Sequence, residues 1–203
     1  ARDSNFQAVL SGKGKIKNAL KDNPNVTLKN DIIISIISVL GCGIEIKVED
    51  KTYGYFDIKS LNWDKIIICT DGDVDGFQIR CLYLALFYKF MPTLIKAGKV
   101  YIVETPLYEI EHNGKSFFAY SDYEKNKIVK GLQGSYKIKR AKGLGENDSE
   151  MMWETTMNPS TRRLKQVISG ENDYILDIML GNYLEERKQA IFELFPEYIK
   201  FAE

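Results

Sequence analysis

Lys65-Ile66-Ile67-Ile68-Cys69-Thr70-Asp71-Gly72-Asp73-Val74-Asp75-Gly76 is the stretch whose reading decides the fold. Its first five residues form a short continuous apolar run of the kind a central parallel strand shows. Its second half packs three aspartates and two glycines into six residues. Beyond it, Phe77 to Met91 predicts a long apolar helix stopped at Pro92, and Lys99 to Val103 resumes a strand. Strand, acidic loop, helix and strand make a βαβ unit, which predicts an α/β fold with a parallel sheet. Open sheets of that kind bind ligands outside the carboxyl ends of their strands, so the acidic loop is the first place to look for chemistry.

Working outward, Leu10 to Asn30 reads as mostly loop, with Lys13, Lys15, Lys17, Lys21 and Lys29 against one acid, Asp22. Asp31 to Leu40 is dense in isoleucine. Ile33, Ile36, Ile37 and Leu40 fit helical spacing, although a buried strand shares the pattern, and the expectation is a helix ending at Gly41 and Gly43. Ile44 to Val48 and Thr52 to Phe56 predict short strands. Leu107 to Glu111 and Ser116 to Tyr120 flank His112-Asn113-Gly114-Lys115, where Asn-Gly signals a hairpin. Asp122 to Leu132 predicts a helix and Ser135 to Arg140 a basic strand. Asn147 and Glu150 then have capping-box spacing before a helix carrying Met151, Met152 and Trp153. Glu171 to Glu203 predicts two short amphipathic helices rich in acids.

In an extended segment, side chains at i, i+2 and i+4 share a face, so Asp71, Asp73 and Asp75 are expected to converge. Three such carboxylates repel one another unless a cation or solvent compensates. Mg²⁺ takes hard oxygen donors, usually one or two carboxylates with water or phosphate, and suits this loop. A solvated acidic turn capping the following helix is the alternative. An EF-hand matches at Asp71, Asp73, Asp75 and Gly76 but fails at its twelfth position, Leu82. An aspartyl phosphotransferase with a strand-end nucleophile is a better chemical rival, but it leaves the basic segments unexplained.

Composition bounds the rest. With 203 residues, 44% hydrophobic and 28% charged, the chain reads as an ordinary globular protein and not as a disordered or fibrous one. Lys+Arg and Asp+Glu are each 28, so the formal net charge is zero, yet the charge is segregated into a basic front, a basic middle and an acidic tail. Cys42, Cys69 and Cys81 have no CxxC spacing, which points to a reducing cytoplasmic setting. No apolar run approaches the ~20 residues of a membrane span. The single histidine, His112, excludes HExxH zinc chemistry.

Several stretches together carry a family resemblance. They are Ala1-Arg2-Asp3 through Gly14-Lys15-Ile16-Lys17-Asn18, Leu40-Gly41-Cys42-Gly43, Thr70 through Gly76 with Ile79-Arg80, Phe87-Tyr88 with Met91-Pro92, and Pro106-Leu107-Tyr108. To these are added Lys142-Gly143-Leu144-Gly145-Glu146 and Trp153-Glu154-Thr155-Thr156-Met157-Asn158-Pro159 with Thr161-Arg162-Arg163. In this order they resemble the Toprim and tail region of the B subunit of bacterial type IIA DNA topoisomerases, gyrase or topoisomerase IV. The resemblance implies a Rossmann-like Toprim core over 1–121, with a parallel sheet and helices on both faces, and a small α+β tail over 122–203.

It further implies metal-assisted strand transfer. Asp71 and Asp73 would be catalytic Mg²⁺ ligands, with Mn²⁺ as a substitute, and Asp75 a weaker ligand, while a tyrosine on a partner A subunit attacks DNA. Lys13, Lys15 and Asn18 fall at or beside family positions that contact DNA. Gln78 and Arg80, and Arg140 and Lys142 of the second basic stretch, are read with them as DNA-facing. The parent would be an A₂B₂ heterotetramer that uses ATP through a domain absent from this chain, so the chain alone is expected to be inactive. Three departures bear on cleavage. The family's Glu-Gly-Asp motif, with its catalytic glutamate, would precede Ala1. Phe77-Gln78 stands where a small residue and histidine are common, and Ser11-Gly12 replaces Pro-Leu. A non-catalytic relative that docks the A subunit and DNA is the alternative.

Overall fold

The computed structural model describes residues 1–48, 51–140, 143–170 and 173–194. In chain order the elements are α1 (Pro24–Thr27), α2 (Asp31–Leu40), β1 (Ile46–Val48), β2 (Lys51–Tyr53), β3 (Ile66–Ile68), α3 (Val74–Phe90), α4 (Pro92–Lys96), β4 (Val100–Val103), β5 (Tyr108–His112), β6 (Lys115–Ala119), α5 (Asp122–Gly131), β7 (Lys137–Arg140), α6 (Ser149–Met152), β8 (Leu164–Gln166), α7 (Tyr174–Leu180) and α8 (Leu184–Leu194). They divide into two compact units, each assembled from three stretches. The first comprises Ala1–Gly14, Lys65–Cys81 and Lys99–Val167; the second comprises Lys15–Asp64, Leu82–Gly98 and Ile168–Glu203.

In the first unit, β3 and β4 pair in parallel, with Ile66 opposite Val100 and Ile68 opposite Ile102. The chain between them is α3 and α4, so the βαβ order expected from the sequence is present and the fold is α/β. β8 closes the other side of β4 antiparallel, with Val103 opposite Leu164, giving the order β3-β4-β8. A second sheet has the order β6-β5-β7, all antiparallel. The Asn113-Gly114 turn joins β5 and β6 with φ of 49° and 74°, the two left-handed residues that a two-residue hairpin favours. The central strand β5 buries Ile110 completely, whereas every residue of the edge strand β7 is exposed.

The tail of this unit is locally specified. Ser121 caps α5, its Oγ accepting the Glu124 N–H at 3.1 Å. The cap of α6 is Asp148, whose Oδ1 accepts from Met151 N at 2.8 Å, one residue beyond the expected Asn147. A π-helical turn follows at Trp153–Met157, with the Thr155 hydroxyl donating to the Met151 carbonyl at 2.7 Å. Its last carbonyl, on Met157, accepts the Gln7 side-chain amide at 2.6 Å, tying the start of the chain to this turn.

The second unit is packed mainly by α2 and the apolar half of α3. Asn30 caps α2, accepting from Ile32 N and Ile33 N, and Ile33, Ile36 and Leu40 are buried, which settles helix over strand. Gly41 ends the helix in the left-handed region at φ 77°. On α3, Leu82, Ala85, Leu86, Phe87 and Phe90 are buried. β1 and β2 pair antiparallel, with Ile46 opposite Tyr53. Tyr88 donates its hydroxyl to Asp177 of α7 at 2.9 Å. Among the described residues, no helix is long and apolar enough to cross a membrane.

Candidate functional site

Beyond β3, Cys69 and the buried Thr70 carry the chain to Asp71. Asp71 Oδ1 accepts the backbone N–H of Leu144 at 2.7 Å, a bond between residues 73 positions apart. Gly143 lies against the same carboxylate, so close that a Cβ there would stand 3.2 Å from Oδ2. Asp73 precedes α3, and its Oδ1 accepts the Gly76 N–H at 2.7 Å, the geometry of an N-cap. The helix-capping reading is therefore realised at Asp73. Gly76 allows this close turn, because a Cβ on it would fall 2.2 Å from the Asp71 carbonyl oxygen.

The expectation that three aspartates converge does not hold. α3 begins at Val74, so Asp75 lies in its first helical turn, and the alternation of an extended segment no longer applies to it. Among the described residues, no group of three or more His, Cys, Asp or Glu side chains gathers to hold a metal. What remains is a half-buried Asp71 and an exposed Asp73, each with Oδ1 engaged by a backbone amide. Cys69 stands two residues before Asp71. Burial, reinforced by Asp71 and opposed by Arg80, pushes its thiol up to about 11.

The other expected site residues lie on several elements of the two units. Arg80 donates from Nη2 to the Thr70 hydroxyl at 3.2 Å and stacks over the Phe77 ring, 5.0 Å from its centroid. Phe77, where the family resemblance expects a small residue, thus supplies a face for the guanidinium. Gln78 is exposed on α3. Lys13, in the first unit, and Lys15, in the second, are both exposed. Asn18 is half-buried in the second unit, with its amide donating to the Leu180 carbonyl at 2.8 Å and its Oδ1 accepting from Leu20 N at 3.0 Å. Arg140 ends the exposed strand β7 opposite Tyr108. In the same strand Lys139 is ion-paired with Glu111, so the second basic stretch is partly neutralised. Lys142 lies outside the described residues.

Gly143 and Leu144 stood in the sequence only as part of the Lys142–Glu146 block, with no role assigned to them. A backbone N–H carries no residue signature, and the only available signal was a glycine inside the Lys142–Glu146 block. Nor did the sequence mark Thr70 as the partner of Arg80.

The fold and site define an α/β domain that presents carboxylates at the end of a parallel strand. Residues 1–105 match the model of the Toprim domain, and residues 133–192 match that of the DNA gyrase B subunit, carboxyl terminus. The DNA gyrase B subunit of Thermotoga maritima is 44% identical over 195 residues, covering 94% of this chain and 29% of the relative. Its counterpart in Archaeoglobus fulgidus is 43% identical over 194 residues, again 94% and 29%. That of Thermus thermophilus is 40% identical over 206 residues, covering 100% of this chain and 31% of the relative. The chain belongs to the Toprim family, in the arrangement that places the carboxyl-terminal region of the gyrase B protein after the Toprim domain. It spans about three tenths of the length of these relatives.

Proposed function

We propose that the chain is the metal- and DNA-binding part of a type IIA DNA topoisomerase B subunit, supporting double-strand cleavage, passage and religation by a tyrosine of a partner A subunit. The observation that carries this reading is Asp71. Its carboxylate sits at the end of β3, in the Toprim-matched stretch, and is held by an N–H from the stretch matched to the gyrase B carboxyl terminus. Two separate family regions thus contribute to one acidic centre.

The donor set suits Mg²⁺, or Mn²⁺ in its place. Asp71 and Asp73 offer hard oxygens, and two carboxylates with water and a phosphate are what Mg²⁺ ordinarily takes. When bound, the ion would supply charge neutralisation on the phosphoryl group and the leaving oxygen. The chain's own part is to hold the two carboxylates in place: the Leu144 amide fixes Asp71, and the Gly76 amide fixes Asp73 at the start of α3. Lys13 and Lys15 flank Gly14, around which a Cβ would meet nothing within 4 Å, and they are assigned to DNA phosphates together with Gln78 and Arg140. Asn18 and Arg80, read with them from the resemblance, donate within the protein, Asn18 to the Leu180 carbonyl and Arg80 to the Thr70 hydroxyl. In this reading ATP use and an A₂B₂ assembly, in the cytoplasm, are properties of the whole topoisomerase and not of this chain alone.

The test uses Asp71→Asn with Asp73→Asn, which keeps both amide acceptors while removing the charges. In a full-length B protein carrying this sequence, supplied with its A subunit and DNA, Mg²⁺-dependent cleavage is expected to disappear. In the 203-residue chain, Mn²⁺ binding followed by electron paramagnetic resonance is expected to be lost. Unchanged Mn²⁺ binding refutes the site. A parent protein that binds its partner and DNA but never cleaves favours the non-catalytic docking role.

A further inference from the structure

The Lys142–Glu146 block contains two glycines, and only one of them has a neighbour. A Cβ on Gly145 would meet nothing within 4 Å, whereas one on Gly143 would stand 3.2 Å from Asp71 Oδ2 and 3.5 Å from its Cγ and Oδ1. Gly143 has φ −61° and ψ 154°, a backbone conformation open to any L residue. Its missing side chain is therefore explained by the space that Asp71 occupies and not by the backbone. The next residue directs its N–H to the same carboxylate at 2.7 Å, a short bond to a charged acceptor.

We infer that Gly143 and the Leu144 N–H are positioning groups for Asp71, and that the turn they begin sets how well the acidic centre holds a divalent cation. The inference rests on the metal reading above and adds to it a control element outside the acidic loop. Two constraints act on a side chain with two rotatable bonds. The amide pins Oδ1, and the glycine keeps clear a space beside Oδ2 that a Cβ would crowd at 3.2 Å. A carboxylate restrained in this way loses less rotamer freedom when a cation arrives, and contacts that orient a ligand in this way commonly govern metal affinity. A shift of the turn by a few tenths of an ångström moves the ligand, so anything that displaces this turn is read out at the metal.

Two measurements on the 203-residue chain test this. In the first, the Mn²⁺ dissociation constant is measured for the unaltered chain, Gly143→Ala and Gly145→Ala. Gly143→Ala is expected to weaken binding about tenfold, the lower end for an orienting contact, while Gly145→Ala is expected to leave it unchanged. In the second, amide hydrogen exchange at Leu144 is followed without metal. Asp71→Ala is expected to accelerate it about tenfold or more, as the loss of a bond to a charged group implies. Equal Mn²⁺ affinity for Gly143→Ala and the unaltered chain overturns the inference, as does equal weakening by both glycine variants. Unchanged Leu144 exchange in Asp71→Ala overturns it without reference to metal and does not depend on Gly143→Ala folding. If instead Mn²⁺ binding proves indifferent to Asp71→Asn with Asp73→Asn, the metal reading itself has failed and the inference falls with it.

Discussion

Gly76→Ala sets two physical effects against each other with opposite signs. Gly76 is the third residue of α3, and in a helix alanine is favoured over glycine by about 1 kcal/mol, so local propensity predicts a stabler protein. Tertiary geometry predicts the reverse. The new Cβ would lie 2.2 Å from the Asp71 carbonyl oxygen, 2.8 Å from its carbonyl carbon and 3.0 Å from its nitrogen, well inside the 3.4 Å at which ordinary contact begins. All three atoms are backbone, so no side chain can swing aside, and the cost falls at the upper end of overpacking, about 3 kcal/mol. The net expectation is a loss of about 2 kcal/mol, or ~4–8 °C in Tm for a chain of this size. Thermal and urea unfolding measure it. Gly72→Ala is the control, because its Cβ would meet only the Leu107 Cδ2 at 3.3 Å and the Thr105 Oγ1 at 3.5 Å, ends of side chains that can move. A Gly76→Ala chain that melts at or above the parent temperature refutes the close packing of α3 on Asp71.

Two further outcomes concern the second unit. Phe87→Ala empties a site that is 2% exposed and is expected to cost about 3–5 kcal/mol in urea unfolding; a loss below ~1 kcal/mol contradicts its burial. Burial first, and the hydrogen bond to Asp177 next, push the Tyr88 hydroxyl up to about 12. A phenol raised above its unfolded value near 10 adds stability that is complete below pH 10 and lost as pH climbs towards 12. The stability gap between the parent and Tyr88→Phe should therefore narrow across that window, and a gap that stays constant from pH 9 to pH 12 refutes the contact.

Features whose causes lie within a few residues were legible in the sequence. Gly41 ends α2 in the left-handed region as expected, while Asn30, read only as the end of a loop, supplies its cap. Asn113-Gly114 makes the hairpin turn, and the apolar run ending at Cys69 contains a parallel strand followed by the acidic loop. Errors arose where two local signals competed. Asn147 and Asp148 are both good caps, and the structure uses the second. Val74 and Asp75 were read as loop, yet Asp73 starts α3 before them, and this removes Asp75 from the face it was expected to share with the other two acids.

By itself, then, the sequence determined the α/β class, the acidic strand end and the family, because each rests on periodicity, turn chemistry or motif order along the chain. Only the tertiary structure decided what the carboxylates do. Asp71 is held by an amide 73 residues away and lies against Gly143, Asp73 caps α3 through Oδ1, and Arg80 turns to Thr70 and Phe77. The contact that orients Asp71 joins it to a backbone N–H, a donor that nearly every residue carries, and no pattern of side chains reveals which one the fold brings to it.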